Sequence, residues 1–339
     1  MTASAHTRMN VRPLRRRAGF AAVLAAALLV PAAAAAITDV IEVRATPVPL
    51  NPQAPKQSRV DRLDYLGGLW LRSKDPRFGG FSGLTASADG SRLLAVSDHG
   101  YWLTAGLEEG PGGRLLGLRD VRMGAILDEG GVPLGGRWRD AEAVEKGPAG
   151  SLIVAFENRH RLWRYDIVGN PMLARAKPMP RPRGLDEVPS NGGMEALTVL
   201  PDGRLLVLTE NALDEFGNRL GWVFEGAKVS QLGYVATGLF KPTDLSVLPS
   251  GDVLLLERRF TRVGGLAARL SRIPLASIRP RGLLDGQEIA VIEPPLTVDN
   301  MEGVAVVEGP AGEVFIYILS DDNYRRLQRT ILMKFRLVP

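Results

Sequence analysis

The sequence predicts an all-β fold, a β-propeller, on three observations. A hairpin unit is written five times, at intervals of 60, 53, 49 and 58 residues counted from Ser82, Glu142, Glu195, Asp244 and Glu302. The return strand of each unit is apolar on consecutive residues, as in Leu205-Leu206-Val207-Leu208. No stretch is patterned as the crossover helix of a βαβ unit. A period near 50 with turn-separated strands marks a propeller. Continuously apolar strands suit sheets covered on both faces, as blades stacked side by side are. Five blades follow. Six would follow if the long 82–142 interval held a degenerate blade around Leu115 to Ile126.

Taken in order, the chain opens on an export pattern. Arg12, Arg15, Arg16 and Arg17 form a basic region, Ala18 to Val30 a short apolar one, and Pro31 with Ala32 to Ala36 a small-residue cleavage region. Residues 1–36 therefore read as a signal peptide, with a periplasmic or secreted protein and no stable membrane span after cleavage. That segment holds five of the 42 basic residues and no acid, so the remainder carries 37 basic and 37 acidic residues. A neutral mature chain has no nucleic-acid footprint. The chain has no cysteine, which excludes disulfides and thiolate chemistry. Nothing in the pattern calls for an oligomer, and a monomer is expected.

Residues 37–58 carry Pro47, Pro49, Pro52 and Pro55 without a sustained period, and read as an extended linker or arm. The propeller is expected over 59–339. Tyr65 to Leu71 precedes the first unit and has no hairpin of its own. The last unit ends in Thr330 to Leu337 and lacks a fourth strand. Pairing these two would close the ring and hide two sheet edges. Thr261 to Ile278 is partly helix-like and reads as a decorated loop.

Within each unit a turn such as Pro201-Asp202-Gly203 joins the strands, since Pro presets φ and Gly accepts a positive φ. An acid stands at each end. Glu142 faces Glu157, Glu195 faces Glu210, Asp244 faces Glu257 and Glu302 faces Asp321; in the first unit Ser82 faces Asp98. In a ring these groups converge on one mouth of the central channel, where unpaired carboxylates cannot crowd together. Cations or arginines must be there. Glu142, Glu195, Asp244 and Glu302 are the metal-ligand candidates, and oxygen donors of this kind suit Ca²⁺. Arg258 and Arg325 are candidate anion clamps, with Asn211 and Asn323 as further ligand contacts. His99, Asp98 and Glu157 are the acid–base candidates. Equally, acids at fixed repeat positions can serve as staples, bonding backbone amides of the next blade.

These motifs together resemble the bacterial family called esterase-like activity of phytase, the phytase-like domain proteins. The resemblance rests on Phe81-Ser82-Gly83-Leu84 with Ser97-Asp98-His99-Gly100, Asp140-Ala141-Glu142-Ala143 with Phe156-Glu157, and Gly193-Met194-Glu195-Ala196-Leu197. It continues through Thr243-Asp244-Leu245 with Leu256-Glu257-Arg258, and Met301-Glu302-Gly303 with Ser320-Asp321-Asp322-Asn323. It implies an exported propeller that hydrolyses a small ester or phosphoester, with an acidic calcium cluster carried over only to the acids at these positions. Two other functions fit the same residues: a non-catalytic propeller binding a sugar, peptide or envelope partner, and a lactonase-like hydrolase.

Overall fold

The structure is a computed structural model and describes residues 1–2 and 39–338. The expected signal peptide lies outside the described residues, apart from its first two. Residues 39–338 form five sheets around one axis, antiparallel except for one short added strand. Blade 1 runs outward from Phe81–Ala86 through Arg92–Ser97 and Tyr101–Gly110 to Arg114–Ala125. Blade 2 is Ala141–Lys146, Leu152–Phe156, Arg161–Tyr165 and Ala176–Pro178. Blade 3 is Met194–Val199, Leu205–Leu213, Arg219–Glu225 and Lys228–Tyr234, with Leu283–Leu284 added in parallel. Blade 4 is Lys241–Val247, Val253–Thr261, Gly265–Ile273 and Gln287–Ile292. Blade 5 begins with Asn300–Glu308, Val314–Asp321 and Thr330–Leu337.

The ring closes as the sequence predicts. Leu63–Ser73 pairs antiparallel with Thr330–Leu337, setting Leu71 opposite Thr330 and Tyr65 opposite Phe335. The innermost strands touch in the order of blades 1, 2, 3, 4, 5 and back to 1. Five apolar clusters fill the five blade interfaces. Strand pleating explains the unbroken apolar runs. Leu205 and Val207 point toward blade 2, while Leu206 and Leu208, on the opposite face, point toward blade 4. Burying both faces of every sheet is the hydrophobic driving force for stacking.

Three expectations are corrected. The 37–58 stretch is not a linker: Val43–Val48 is the outermost strand of blade 5 and Asp39–Val40 that of blade 1. Pro47 is tolerated there because an edge strand needs no N–H on its outer side. The 261–278 stretch holds the strand Gly265–Ile273, whose paired apolar and charged residues mimic helical spacing. Leu115 to Ile126 is no sixth blade but the long outer strand of blade 1.

Candidate functional site: the channel mouth

Every innermost strand carries one extra residue at the same place, between two registered pairs. The extra residue is Ser82 in blade 1, Glu142 in blade 2, Glu195 in blade 3, Thr243 in blade 4 and Glu302 in blade 5. A bulge of this kind bends the strand and re-aims a side chain, and here it turns the acids toward the mouth. The residue facing the channel at the end of each second strand is Asp98, Glu157, Glu210, Arg258 and Asp321 in blade order. Three of their amides donate to the carbonyls of Gly80, Asp140 and Gly193, at 3.0, 2.9 and 3.0 Å. In blades 4 and 5 the opposite residues are Lys241 and Asn300.

Blade 4 thus departs from the register read in the sequence. Asp244 sits one position past the bulge and faces away from the mouth, because a one-residue slip along a strand reverses the side chain. It is fully buried and accepts from the amides of Leu245 (2.9 Å), Val304 (2.8 Å) and Leu84 (3.4 Å). It is a staple joining blades 4, 5 and 1, not a metal ligand. Glu257, its expected partner, is also turned inward: Arg269 grips it at 2.8 and 2.9 Å, and Tyr234 Oη donates at 2.8 Å. Glu145, nearer the far end of the channel, plays the same part by accepting from Thr85 and Thr198 of the flanking blades.

At the mouth itself the charges divide. Arg258 donates to Glu210 Oε1 (2.9 Å) and Asn300 Oδ1 (3.0 Å), and its Nε lies 3.0 Å from Glu302 Oε1. Lys241 Nζ adds a contact to Glu210 at 3.4 Å. Arg258 is therefore the internal counter-ion of blades 3 to 5 and not a free anion clamp. Asn300 bridges the pair by donating to Glu302 at 2.8 Å and to Asp321 at 3.5 Å. Burial still pushes Glu302 up to about 8, with Arg258 offsetting part of it, and Asp321 up to about 7.

Among the described residues no Lys or Arg forms an ion pair with the blade 2 acids of the mouth. Ligand oxygens of Asp140, Glu142 and Glu157 all lie within 4.8 Å of one another. Glu157 is fixed by the amides of Gly192 and Gly193, both donating to its Oε1, the second at 3.0 Å. Asn158 Nδ2 donates to Asp140 Oδ2. Glu142 is pushed far above the usual carboxylate range by burial, then by Asp140, Glu195 and Glu157. Glu195, 7% exposed, is shifted the same way by burial and by Glu210 and Glu302, and accepts no hydrogen bond among the described residues.

Blade 1 contributes Asp98, raised to about 8 by burial and by Asp321 and Asp140. Its buried Oδ1 has no hydrogen-bond partner among the described residues. The His99 ring stacks on Tyr324 with centroids 3.9 Å apart and planes 13° from parallel, and burial and Arg139 hold it below its usual pKa. Ser82 is the buried bulge residue of this blade. Asn211 donates to Glu210 Oε2 at 2.6 Å, Asn323 presents its amide to Asp321 Oδ1 at 2.6 Å, and the Arg325 side chain is exposed.

Reading acids alone misses Asp140, Lys241 and Asn300. Their signal is positional: each stands two residues before its bulge, as Gly80 and Gly193 do. It also misses His160, buried with Nε2 2.7 Å from the Pro189 carbonyl and its ring against Gly193.

A five-bladed propeller whose bulged inner strands ring one mouth with carboxylates is the class that the fold and site define. The chain belongs to the phytase-like family, described as esterase-like activity of phytase, which matches residues 76–324. A search of curated proteins returns no match. Among solved structures the chain is similar to the α-L-arabinofuranosidase of Podospora anserina in complex with cellotriose, at 12% identity and TM-score 0.49, covering 81% of this chain and 97% of that one. It is similar to an endo-arabinase of Bacteroides thetaiotaomicron, at 11% identity and TM-score 0.45, covering 76% and 94%. It is similar also to virginiamycin B lyase of Staphylococcus aureus, at 11% identity and TM-score 0.38, covering 88% and 100%.

Proposed function

We propose that the protein is an exported hydrolase of small esters or phosphoesters that works at the channel mouth with Ca²⁺ on blade 2. The observation that carries this reading is the Asp140, Glu142 and Glu157 group, three carboxylates within 4.8 Å that form no ion pair with a Lys or Arg among the described residues. The donor set fits the ion. All three are hard oxygen ligands, Glu195 adds a buried carboxylate with no hydrogen bond among the described residues, and carboxylates crowded this closely are ionised together when a cation joins them. Asp140, Glu142 and Glu157 would hold it, with Glu195 beside them. Bound there, a divalent ion supplies Lewis-acid polarisation of a phosphoryl or acyl oxygen.

The chain's own residues supply the rest. The Gly192 and Gly193 amides fix the Glu157 carboxylate, so the cluster is preorganised. Asp98, pushed up to about 8 by burial and its acidic neighbours, favours the protonated form at neutral pH and can deliver that proton to a leaving oxygen, as a general acid must. Arg258 holds the Glu210 and Glu302 side chains in place beside the cluster. Export rests on the signal pattern of residues 1–36; no helix among the described residues is long and apolar enough to cross a membrane.

The test is a Ca²⁺ titration of the purified protein together with a panel of phosphate esters, carboxylate esters and lactones, with Ca²⁺ or EDTA. Calcium should raise the melting temperature and support turnover, and Glu142→Gln should weaken Ca²⁺ binding at least tenfold. Calcium binding without turnover of any ester would make this a binding propeller. An unchanged melting temperature and no turnover would end the metallohydrolase reading.

A further inference from the structure

Beside the blade 2 carboxylates lies a group of side chains that the hydrolase reading leaves unused. Trp138 is 50% exposed, whereas Trp102, Trp163 and Trp222 are buried. It stands two residues before Asp140, at the end of the segment linking blades 1 and 2. That segment is pinned by Arg161, whose Nη2 donates to the Trp138 carbonyl and whose guanidinium lies 5.1 Å from the indole centroid. Arg161 is itself held between Phe156 and Trp163, at 3.8 and 4.1 Å. An indole left half open to water, on a mount this rigid, is prepared for a flat partner.

Two further arginines flank it. Arg139 immediately precedes Asp140, packs on Gly100, and lies close enough to Asp98 and His99 to shift both. Arg159 follows Glu157 by two residues, and its guanidinium is 5.8 Å from the Trp138 centroid. Among the described residues neither guanidinium has a carboxylate within ion-pair distance, although acids dominate the mouth. Guanidiniums that no ion pair holds keep their hydrogen-bond donors open. They are complementary to an incoming oxyanion, which Arg can take in two parallel hydrogen bonds.

We propose that Trp138, Arg139 and Arg159 form a subsite for a phosphate monoester whose alcohol carries a flat aromatic ring. The ring stacks on the indole, the guanidiniums take the phosphate oxygens, and Arg161 acts as the positioning residue for Trp138. This rests on the hydrolase reading only for its place in the reaction. Binding stands or falls separately.

Calorimetric titration in Ca²⁺ buffer tests it with adenosine 5′-monophosphate, ribose 5-phosphate, adenosine and inorganic phosphate as probes. The aromatic monophosphate should bind at least tenfold tighter than ribose 5-phosphate, adenosine or phosphate. Trp138→Ala should erase its advantage over ribose 5-phosphate while leaving inorganic phosphate unchanged. Arg139→Ala with Arg159→Ala should weaken every phosphate probe at least tenfold and remove most of the salt dependence. Equal binding of ribose 5-phosphate and the nucleotide, or wild-type binding by Trp138→Ala, overturns the subsite. Trp138 is a half-exposed surface residue, so its variant should melt like the parent. If Glu142→Gln loses turnover yet still binds the nucleotide, the subsite is intact. If esters turn over but the nucleotide does not bind, the subsite alone fails.

Discussion

Arg258 stands in blade 4 where the other blades place an acid, and its Nη2 lies 2.9 Å from Glu210 Oε1. One guanidinium thereby contacts two buried carboxyl groups, Glu210 and Glu302, on the blades to either side. Removing one partner of a buried pair leaves an uncompensated charge, which costs about 3–5 kcal/mol. Arg258→Met is expected to lose stability in that range at pH 8. The loss should be smaller at pH 5, where the stranded acids take up protons. Thermal unfolding at the two pH values measures it; an equal loss at both would mean that Arg258 contributes packing, not charge.

The mouth also sets how stability responds to pH. Glu302 and Asp98 titrate at about 8 and Asp321 at about 7, all far above their ordinary values of 4.5 and 3.8. Between those ordinary values and pH 8 the folded chain binds more protons than the unfolded one. Stability contributed by these groups is therefore complete at acid pH and is lost as pH rises through 8. His99, held below 6.5, acts in the opposite sense. In EDTA the melting temperature should fall from pH 5 to pH 8. Calcium should remove most of that fall, because bound carboxylates are ionised and their protons are released. A melting temperature that climbs over this range in EDTA would contradict the assignment.

Blade 4 shows how far the sequence carries and where it stops. Repeat spacing, continuous apolar strands and an orphan strand at 65–71 are properties of the chain, so the ring and its closure could be read directly. The alignment of blade 4 could not. Its bulge residue is Thr243, but Asp244 is the acid beside it, and matching acid to acid moves the register by one residue. The same slip exchanges Glu257 for Arg258. Which residue bulges depends on pairing with a strand ten or more residues away, and the composition of either strand does not record it. The 37–58 segment is hidden for a related reason: its edge strand Val43–Val48 is short and interrupted by Pro47, has no period of its own, and only the partner Leu63–Ser73 reveals it.

Asp244 and Glu142 should consequently behave as opposites. Asp244 gives one oxygen to Leu245 and the other to Val304 and Leu84. Asn at this position must set its NH₂ group against an amide donor on one side. Leaving a buried amide donor unsatisfied costs about 1–3 kcal/mol, so Asp244→Asn should lose about that much. Its Ca²⁺ affinity should match the parent, whereas Glu142→Gln should lose Ca²⁺ affinity and gain stability in EDTA through relief of repulsion. Unfolding curves with and without Ca²⁺ separate the two; loss of Ca²⁺ binding by Asp244→Asn with unchanged unfolding would return that acid to the mouth.

On both of the blades that Asp244 reaches, the position equivalent to it is glycine. The residues one past the bulge are Gly83, Ala143, Ala196, Asp244 and Gly303. A Cβ on Gly83 would lie 2.6 Å from the Val144 amide nitrogen and 2.7 Å from the Ala143 Cα, both backbone atoms that no rotamer can move. Gly83→Ala should therefore push the inner strand of blade 2 away from blade 1, at a cost of about 1–3 kcal/mol for overpacking. Glu142 precedes Ala143 on that displaced strand, so Ca²⁺ affinity should fall with it. Gly203 is the control. It sits in the blade 3 turn at φ 84° with nothing within 4 Å of a Cβ. Gly203→Ala should cost about 1–2 kcal/mol through its left-handed backbone alone and leave Ca²⁺ affinity unchanged. Equal Ca²⁺ affinity in the two variants would show that the cluster does not depend on how closely the first two blades pack at the axis.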